Sequence, residues 1–270
     1  MIDIHCHLNF HSFEKDLDEV VSRAKDTGVK IIVNVGTSLE SSRQAVELAH
    51  KYENFYAIVG IHPHHADKLS SNWTYDLEKI AKDEKVIAIG EIGLDYYSYK
   101  SNGIVNPKIQ KEVFVSQIKL AHKLGLPLQI HNRHAGEDVV KVLEEHKSLL
   151  KKNPGMFHCF AASEKVHKKV LDMGFYIGFD GNITYKGLAP GETVSLSDLA
   201  INTPIERIFI ETDSPFLTPI PLRGAQNEPK NVIIIGEFIS ALKKTSADIL
   251  WRQIYNNFET VFGVKYAKYA

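Results

Sequence analysis

Apolar positions along the chain fall into short β-branched runs, each followed by a longer stretch with helical periodicity. The runs are Ile2–Cys6, Lys30–Val35, Phe55–Gly60, Val86–Gly90, Pro127–His131, Gly155–His158, Phe175–Gly178 and Arg207–Glu211. Short runs that are apolar throughout, rather than alternating, predict strands buried on both faces of a parallel sheet. The stretches between them predict helices over Phe13–Thr27, Leu39–Tyr52, Leu77–Asp83, Val113–Leu124, Glu137–Leu150, Lys165–Met173, Thr193–Asn202, Ile233–Lys244 and Asp248–Phe262. Ser12 is placed to cap the first. Gly28, Gly125 and Gly174 stand where a helix stops ahead of a strand. Eight strand-plus-helix units without a Pro- or Ser-rich linker predict an α/β fold, a (β/α)8 TIM-type barrel forming a single domain over residues 1–270. An open doubly wound sheet is the alternative.

Composition narrows the partners. With 44% hydrophobic and 24% charged residues the chain is globular, not disordered. Its 32 basic and 33 acidic residues leave a net charge of −1, so it does not coat nucleic acid by charge alone. An anionic partner would need local positive charge, which bound metal can supply. Cys6 and Cys159 cannot make a disulfide scaffold and read as reduced thiols of a cytoplasmic protein. The opening MIDIHCHL shows no secretion signal, and apolar runs such as Val232–Ile235 are too short to span a bilayer.

In a barrel of this kind reactive groups gather where strands end and loops begin. Six of the eight predicted strand ends carry His, Asp or Glu: His5 and His7, His62, Glu91, His131, His158, and Glu211 with Asp213. His5 and His7, two apart on a strand, share a face, and Cys6 between them points the other way. Taken singly, each has an ordinary use: a satisfied structural histidine, a loop carboxylate, or the turn chemistry of Asp-Ser-Pro. Pooled, His5, His7, Glu91, His131, His158 and Asp213 offer four imidazoles and two carboxylates. That set suits two divalent ions bridged by one carboxylate, with Mg, Zn, Mn or Ni all compatible. Gly90 and Gly93 flank Glu91 and suit a close approach of backbone and metal. Asp95 reads as a turn or capping residue, and His64 and His65 as solvent-facing. No Gly-x-Ser-x-Gly elbow and no phosphate-binding glycine loop is present.

The motifs IDIHCHL, GIHPHH, IGEIGLDYY, QIHNRHA, HCF, ETDSPFLTP and RGAQNEP occur in an order that resembles the TatD family of metal-dependent deoxyribonucleases, among the amidohydrolase-like barrels. The resemblance spans nearly the whole chain. It implies that His5, His7, Glu91, His131, His158 and Asp213 are metal ligands, with Glu91 bridging. It implies that Asp213 orients or deprotonates the attacking water, and that His62 is an active-site histidine acting on substrate phosphate or in proton transfer. Arg133 and Arg223 offer bidentate contacts to phosphate, with a surface ion pair as the alternative. Glu211, two residues before Asp213, is placed to support a ligand from behind. Tyr96 and Tyr97 can stack on a base or simply pack. Asn227 reads as the cap of the helix that follows. Two departures from the family pattern, AAS after HCF and a long Leu188–Asp198 connection, bear on loop shape rather than ligands.

The expected activity is hydrolysis of DNA phosphodiester bonds by a metal-activated water, with weak and local DNA binding. The competing reading is another amidohydrolase-type barrel hydrolase, cleaving an amide, an ester or a D-aminoacyl-tRNA ester. A non-catalytic barrel would predict missing ligand positions, and none is missing.

Overall fold

The computed structural model describes residues 1–99 and 103–265. Eight parallel strands pair in chain order: β1 (Ile2–Cys6), β2 (Ile31–Val35), β3 (Phe55–Val59), β4 (Val86–Asp95), β5 (Leu128–Arg133), β6 (Gly155–Phe157), β7 (Tyr176–Phe179) and β8 (Ile208–Ile210). Sequential parallel pairing requires a crossover after each strand, and helices supply it. They are α1 (Leu17–Asp26), α2 (Leu39–Lys51), α3 (Trp73–Ala81), α4 (Pro107–Leu124), α5 (Gly136–Glu145), α6 (Glu164–Asp172), α7 (Leu196–Asn202), α8 (Val232–Leu242) and α9 (Ala247–Phe262). The barrel of the sequence reading is the observed architecture, not the open sheet.

The strands are buried almost without exception, as their unbroken apolar runs require. Ile2, Ile4, Ile58, Phe157, Phe179 and Phe209 are among the fully buried side chains, each stabilising the fold by roughly 1.5–3 kcal/mol. No helix among the described residues is long and apolar enough to cross a membrane.

The seam between first and last strand closes through the segment just past β8. Asp213 N–H donates to His5 O (2.9 Å) and His7 N–H to Ser214 O (2.7 Å). Beneath it, buried Asp3 accepts from Thr212 N–H (2.9 Å) and the Thr212 hydroxyl (2.6 Å). The bonds that close the barrel therefore also fix three of the residues picked out by the sequence.

Two expectations change. Ser12 does not cap α1. It lies in the 3-10 turn His11–Phe13, and the helix begins at Leu17 after Asp16, whose side chain makes no capping bond. Phe13 is fully buried in that turn, so packing of its ring, not a cap, sets the entry to the helix. The fourth strand is also longer than its apolar run. It continues through Glu91 to Asp95, with a register irregularity against β5 between Ile89 and Ile92.

Candidate metal centre

Irregularities of this kind re-aim side chains, and here the re-aimed residue is Glu91. Gly93 (φ +146°) shows what the glycines are for: a Cβ there would stand 2.0 Å from His131 O. The close approach is to the backbone of β5, not to a metal as the sequence suggested. It locks Gly93 opposite His131 and Asp95 opposite Arg133.

Around Glu91 the donors fall into two adjoining groups. In the first, His5 Nε2 and His7 Nε2 lie 3.0 Å apart, and each is 3.4 Å from Asp213 Oδ1. In the second, Glu91 Oε1 lies 2.6 Å from His131 Nδ1 and 2.7 Å from His158 Nε2. Glu91 Oε2 faces the first group, 3.8 Å from His5 and 3.9 Å from His7. One carboxylate thus turns one oxygen to each group. Both groups, His5–His7–Asp213 and Glu91–His131–His158, bring their donor atoms within 4.8 Å of one another.

The donor chemistry fits divalent ions. His7 Nδ1 faces Val35 O at 3.0 Å. A carbonyl only accepts, so the ring proton sits on Nδ1 and Nε2 presents a lone pair. Two imidazole nitrogens and a carboxylate oxygen then converge in a pocket that is almost wholly buried, an arrangement a cation relieves. Burial, with His158 and His7 beside it, holds His5 well below its ordinary pKa and keeps it neutral. Burial opposes the charge on Glu91, yet His158 and His131 outweigh it and hold the carboxyl well below the usual range.

His62 caps the 3-10 turn Pro63–His65 by accepting the His64 N–H on Nδ1 (3.1 Å). Its proton therefore lies on Nε2, which points at Glu91 Oε1 from 3.6 Å. Burial keeps this ring neutral. Glu211 is fully buried, accepts the Cys159 N–H on Oε1, and has that oxygen 3.7 Å from His158 Nδ1. Its carboxyl is pushed well above the ordinary range by burial and by Asp180. Glu211 lies behind His158, on the side away from Glu91, beyond hydrogen-bond distance of its Nδ1. Cys6 turns from the pocket towards Val33 O and Asn34.

Two residues were misread and a third was read only in part. Asp95 does make a turn contact, its Oδ1 accepting the Tyr97 N–H (2.8 Å), but it also ends β4, with Oδ2 3.1 Å from His131 Nε2 and 3.1 Å from His64 Nε2. Burial opposes its charge, but His131 and His64 hold it far below the usual carboxylate range. His64, read as solvent-facing, is therefore part of this wall. Asn227 does not cap the next helix. Fully buried, it donates through Nδ2 to Thr212 O (2.8 Å) and Phe216 O (2.7 Å), tying down the loop that carries Asp213. The signal for Asp95 was its spacing of four from Glu91, which the flanking glycines disguised as a loop.

Arg133 and Arg223 are exposed and form no ion pair among the described residues. Arg133 lies between Tyr97 (4.3 Å) and Tyr99 (5.1 Å) and donates to the Tyr99 hydroxyl (2.7 Å). Arg223 lies 4.1 Å over Tyr185. Tyr96 packs beside the barrel, its hydroxyl donating to Asp138 (2.7 Å).

Known proteins share this frame. The family described as TatD related DNase matches residues 2–263. The uncharacterized metal-dependent hydrolase YabD of Bacillus subtilis is 39% identical over 266 residues, covering 98% of this chain and 99% of its own. The Shigella flexneri protein named 3'-5' ssDNA/RNA exonuclease TatD is 32% identical over 273 residues, covering 98% of this chain and all of its own. The crystal structure of YJJV, a TatD homologue from Escherichia coli, superposes with a TM-score of 0.88 at 28% identity over 98% of each chain. On these matches the chain belongs to the TatD family of metal-dependent hydrolases.

Proposed function

We propose that this protein is a cytoplasmic, metal-dependent nuclease that hydrolyses phosphodiester bonds of DNA at a site for two divalent ions. One observation carries the reading: Glu91 directs Oε1 to His131 and His158 and Oε2 to His5 and His7. A carboxylate so divided fits a bridge between two ions, with Asp213 completing the first group and His158 and His131 the second. His5, His7, Asp213, Glu91, His131 and His158 would hold the ions, whose chemistry there would be to lower the pKa of a bound water towards neutrality and to offset charge on a phosphoryl oxygen.

The chain's own groups supply the rest. Asp213, at the rim with its side chain 13% exposed, is placed to orient the attacking water and take its proton. His62, fixed as an Nε2–H donor, is placed to hydrogen-bond a phosphate oxygen. Asp95 holds His131 in orientation, and Glu211 lines the far side of His158. Arg133 and Arg223, held on tyrosine faces rather than by carboxylates, are free to meet phosphate. With a net charge of −1 the grip on long DNA is weak and local. The free thiols Cys6 and Cys159 accord with a reducing compartment. The exonuclease named among the relatives supports a nucleic-acid substrate.

The test is turnover of single-stranded DNA, a nitrophenyl phosphodiester and a carboxylic ester, each with added divalent ion and with chelator. Ion-dependent cleavage of the first two is expected. Cleavage of the ester alone, or full activity in chelator after dialysis, overturns the assignment.

A further inference from the structure

Phe216 is 51% exposed, and it is the only phenylalanine among the exposed large apolar side chains of the described residues. It lies three residues past Asp213 and is held firmly. Its N–H donates to Asp213 O (2.8 Å), and its carbonyl accepts from buried Asn227 (2.7 Å). Asp213 (φ +53°) and Leu217 (φ +54°) bracket it in the left-handed region. An exposed ring on so constrained a backbone is a fixed platform.

The platform adjoins the candidate cation pocket. Its ring meets His7 edge-on (6.4 Å between centroids) and Phe10 likewise (6.2 Å), while Phe10 stacks on His7 (4.5 Å, 12°). An aromatic wall therefore runs from a ligand imidazole out to solvent. The same connection leaves Ile220 and Leu222 41% exposed. It also carries Arg223, laid on Tyr185, whose hydroxyl donates to Thr218 O (2.8 Å). A flat apolar surface and, on the same connection, a guanidinium without an ion pair among the described residues match a base and a phosphate of the same strand.

We infer that Phe216 is the platform on which the base beside the scissile phosphodiester stacks, with Arg223 on the neighbouring phosphate. Inside a duplex both faces of a base are covered by its neighbours, so the platform accepts a base at a strand end or in a single strand. This inference rests on the nuclease reading above and adds the residue that selects the substrate.

The experiment compares the wild type, Phe216→Ala and Phe216→Trp, all with the divalent ion that supports cleavage. Substrates are a short single-stranded oligodeoxynucleotide and the same strand with an abasic residue at the position cleaved. Stacking on an aromatic side chain predicts a loss in kcat/KM of roughly 5- to 150-fold for Phe216→Ala on the intact strand. Phe216→Trp, which keeps a ring, should stay within about threefold of wild type. On the abasic strand the gap between Phe216→Ala and wild type should close. Equal rates on the intact strand, or an equal loss on both strands, overturn the role of Phe216. Failure of the wild type to cleave the intact strand overturns the nuclease reading instead, and the two failures are thereby told apart.

Discussion

The His5–His7–Asp213 group and the Glu91–His131–His158 group share a wall yet handle protons differently. In the first, two Nε2 atoms face each other at 3.0 Å, and at most one proton fits between them. His7 is raised, Asp213 outweighing the burial that opposes it, while His5 stays neutral. In the second, each imidazole faces a carboxylate: His131 meets Glu91 at 2.6 Å and Asp95 at 3.1 Å. Burial opposes the charge on His131, but Asp95 and Glu91 prevail and push it up to about 9. In the first group His7 alone is drawn towards a proton, leaving His5 neutral and open to a cation. The second can satisfy itself with protons, so an ion there must displace them. Neighbouring donor sets of similar composition thus differ in what they exchange on binding, and the difference comes from Asp95.

The severest way to break the comparison is to remove the residue common to both groups. Glu91→Gln should lower turnover on the order of 10³-fold, since several kcal/mol of charge stabilisation depend on correctly held ions. Elemental analysis of the purified variant should show metal lost from both groups. Metal content and rate equal to wild type would show that the two groups do not depend on Glu91.

Next in size is the response to pH. The folded pKa of His131, about 9, lies above its ordinary 6.5. In metal-free protein its contribution is therefore complete below about 6.5 and lost as pH rises through 9, on the order of 3 kcal/mol. Thermal unfolding of metal-free protein across that window should record the loss, and Asp95→Asn should flatten it. Calorimetric titration with a divalent ion in buffers of different ionisation enthalpy should show proton release that shrinks as pH approaches 9. Absence of proton release at pH 7 would remove the distinction between the groups.

The smallest expected effect lies at the rim of the second group. Arg133→Ala should raise KM for single-stranded DNA about 10-fold with little change in kcat, and reduce the salt dependence of binding. Unchanged KM and salt slope would mean that the Tyr97–Arg133–Tyr99 stack only packs.

How much of this was written in the sequence depends on the element. β1, β2 and β3 were legible because unbroken apolar runs have few other uses in a chain of this composition. β4 was half legible. Its second half, past Gly90, carries Gly93, which read as loop, whereas a glycine is needed where β4 presses on the backbone of His131. Losing that half of the strand also hid Asp95, and with it the reason His131 holds a proton. His64 was missed for a related cause, since only the turn after His62 aims it at Asp95. Asn227 carried a local capping signal, but Thr212 O and Phe216 O lie 15 and 11 residues back along the chain.

By itself the sequence determined the period of the strands, the barrel they imply, and the kinds of donor at each strand end. These are local properties, set by burial pattern and residue chemistry within a few positions. The tertiary structure decided which donors share a proton, which oxygen of Glu91 turns to which group, and where an exposed ring stands. Those facts depend on distances between residues far apart in the chain, such as His5 and Asp213, and only closure of the barrel sets them.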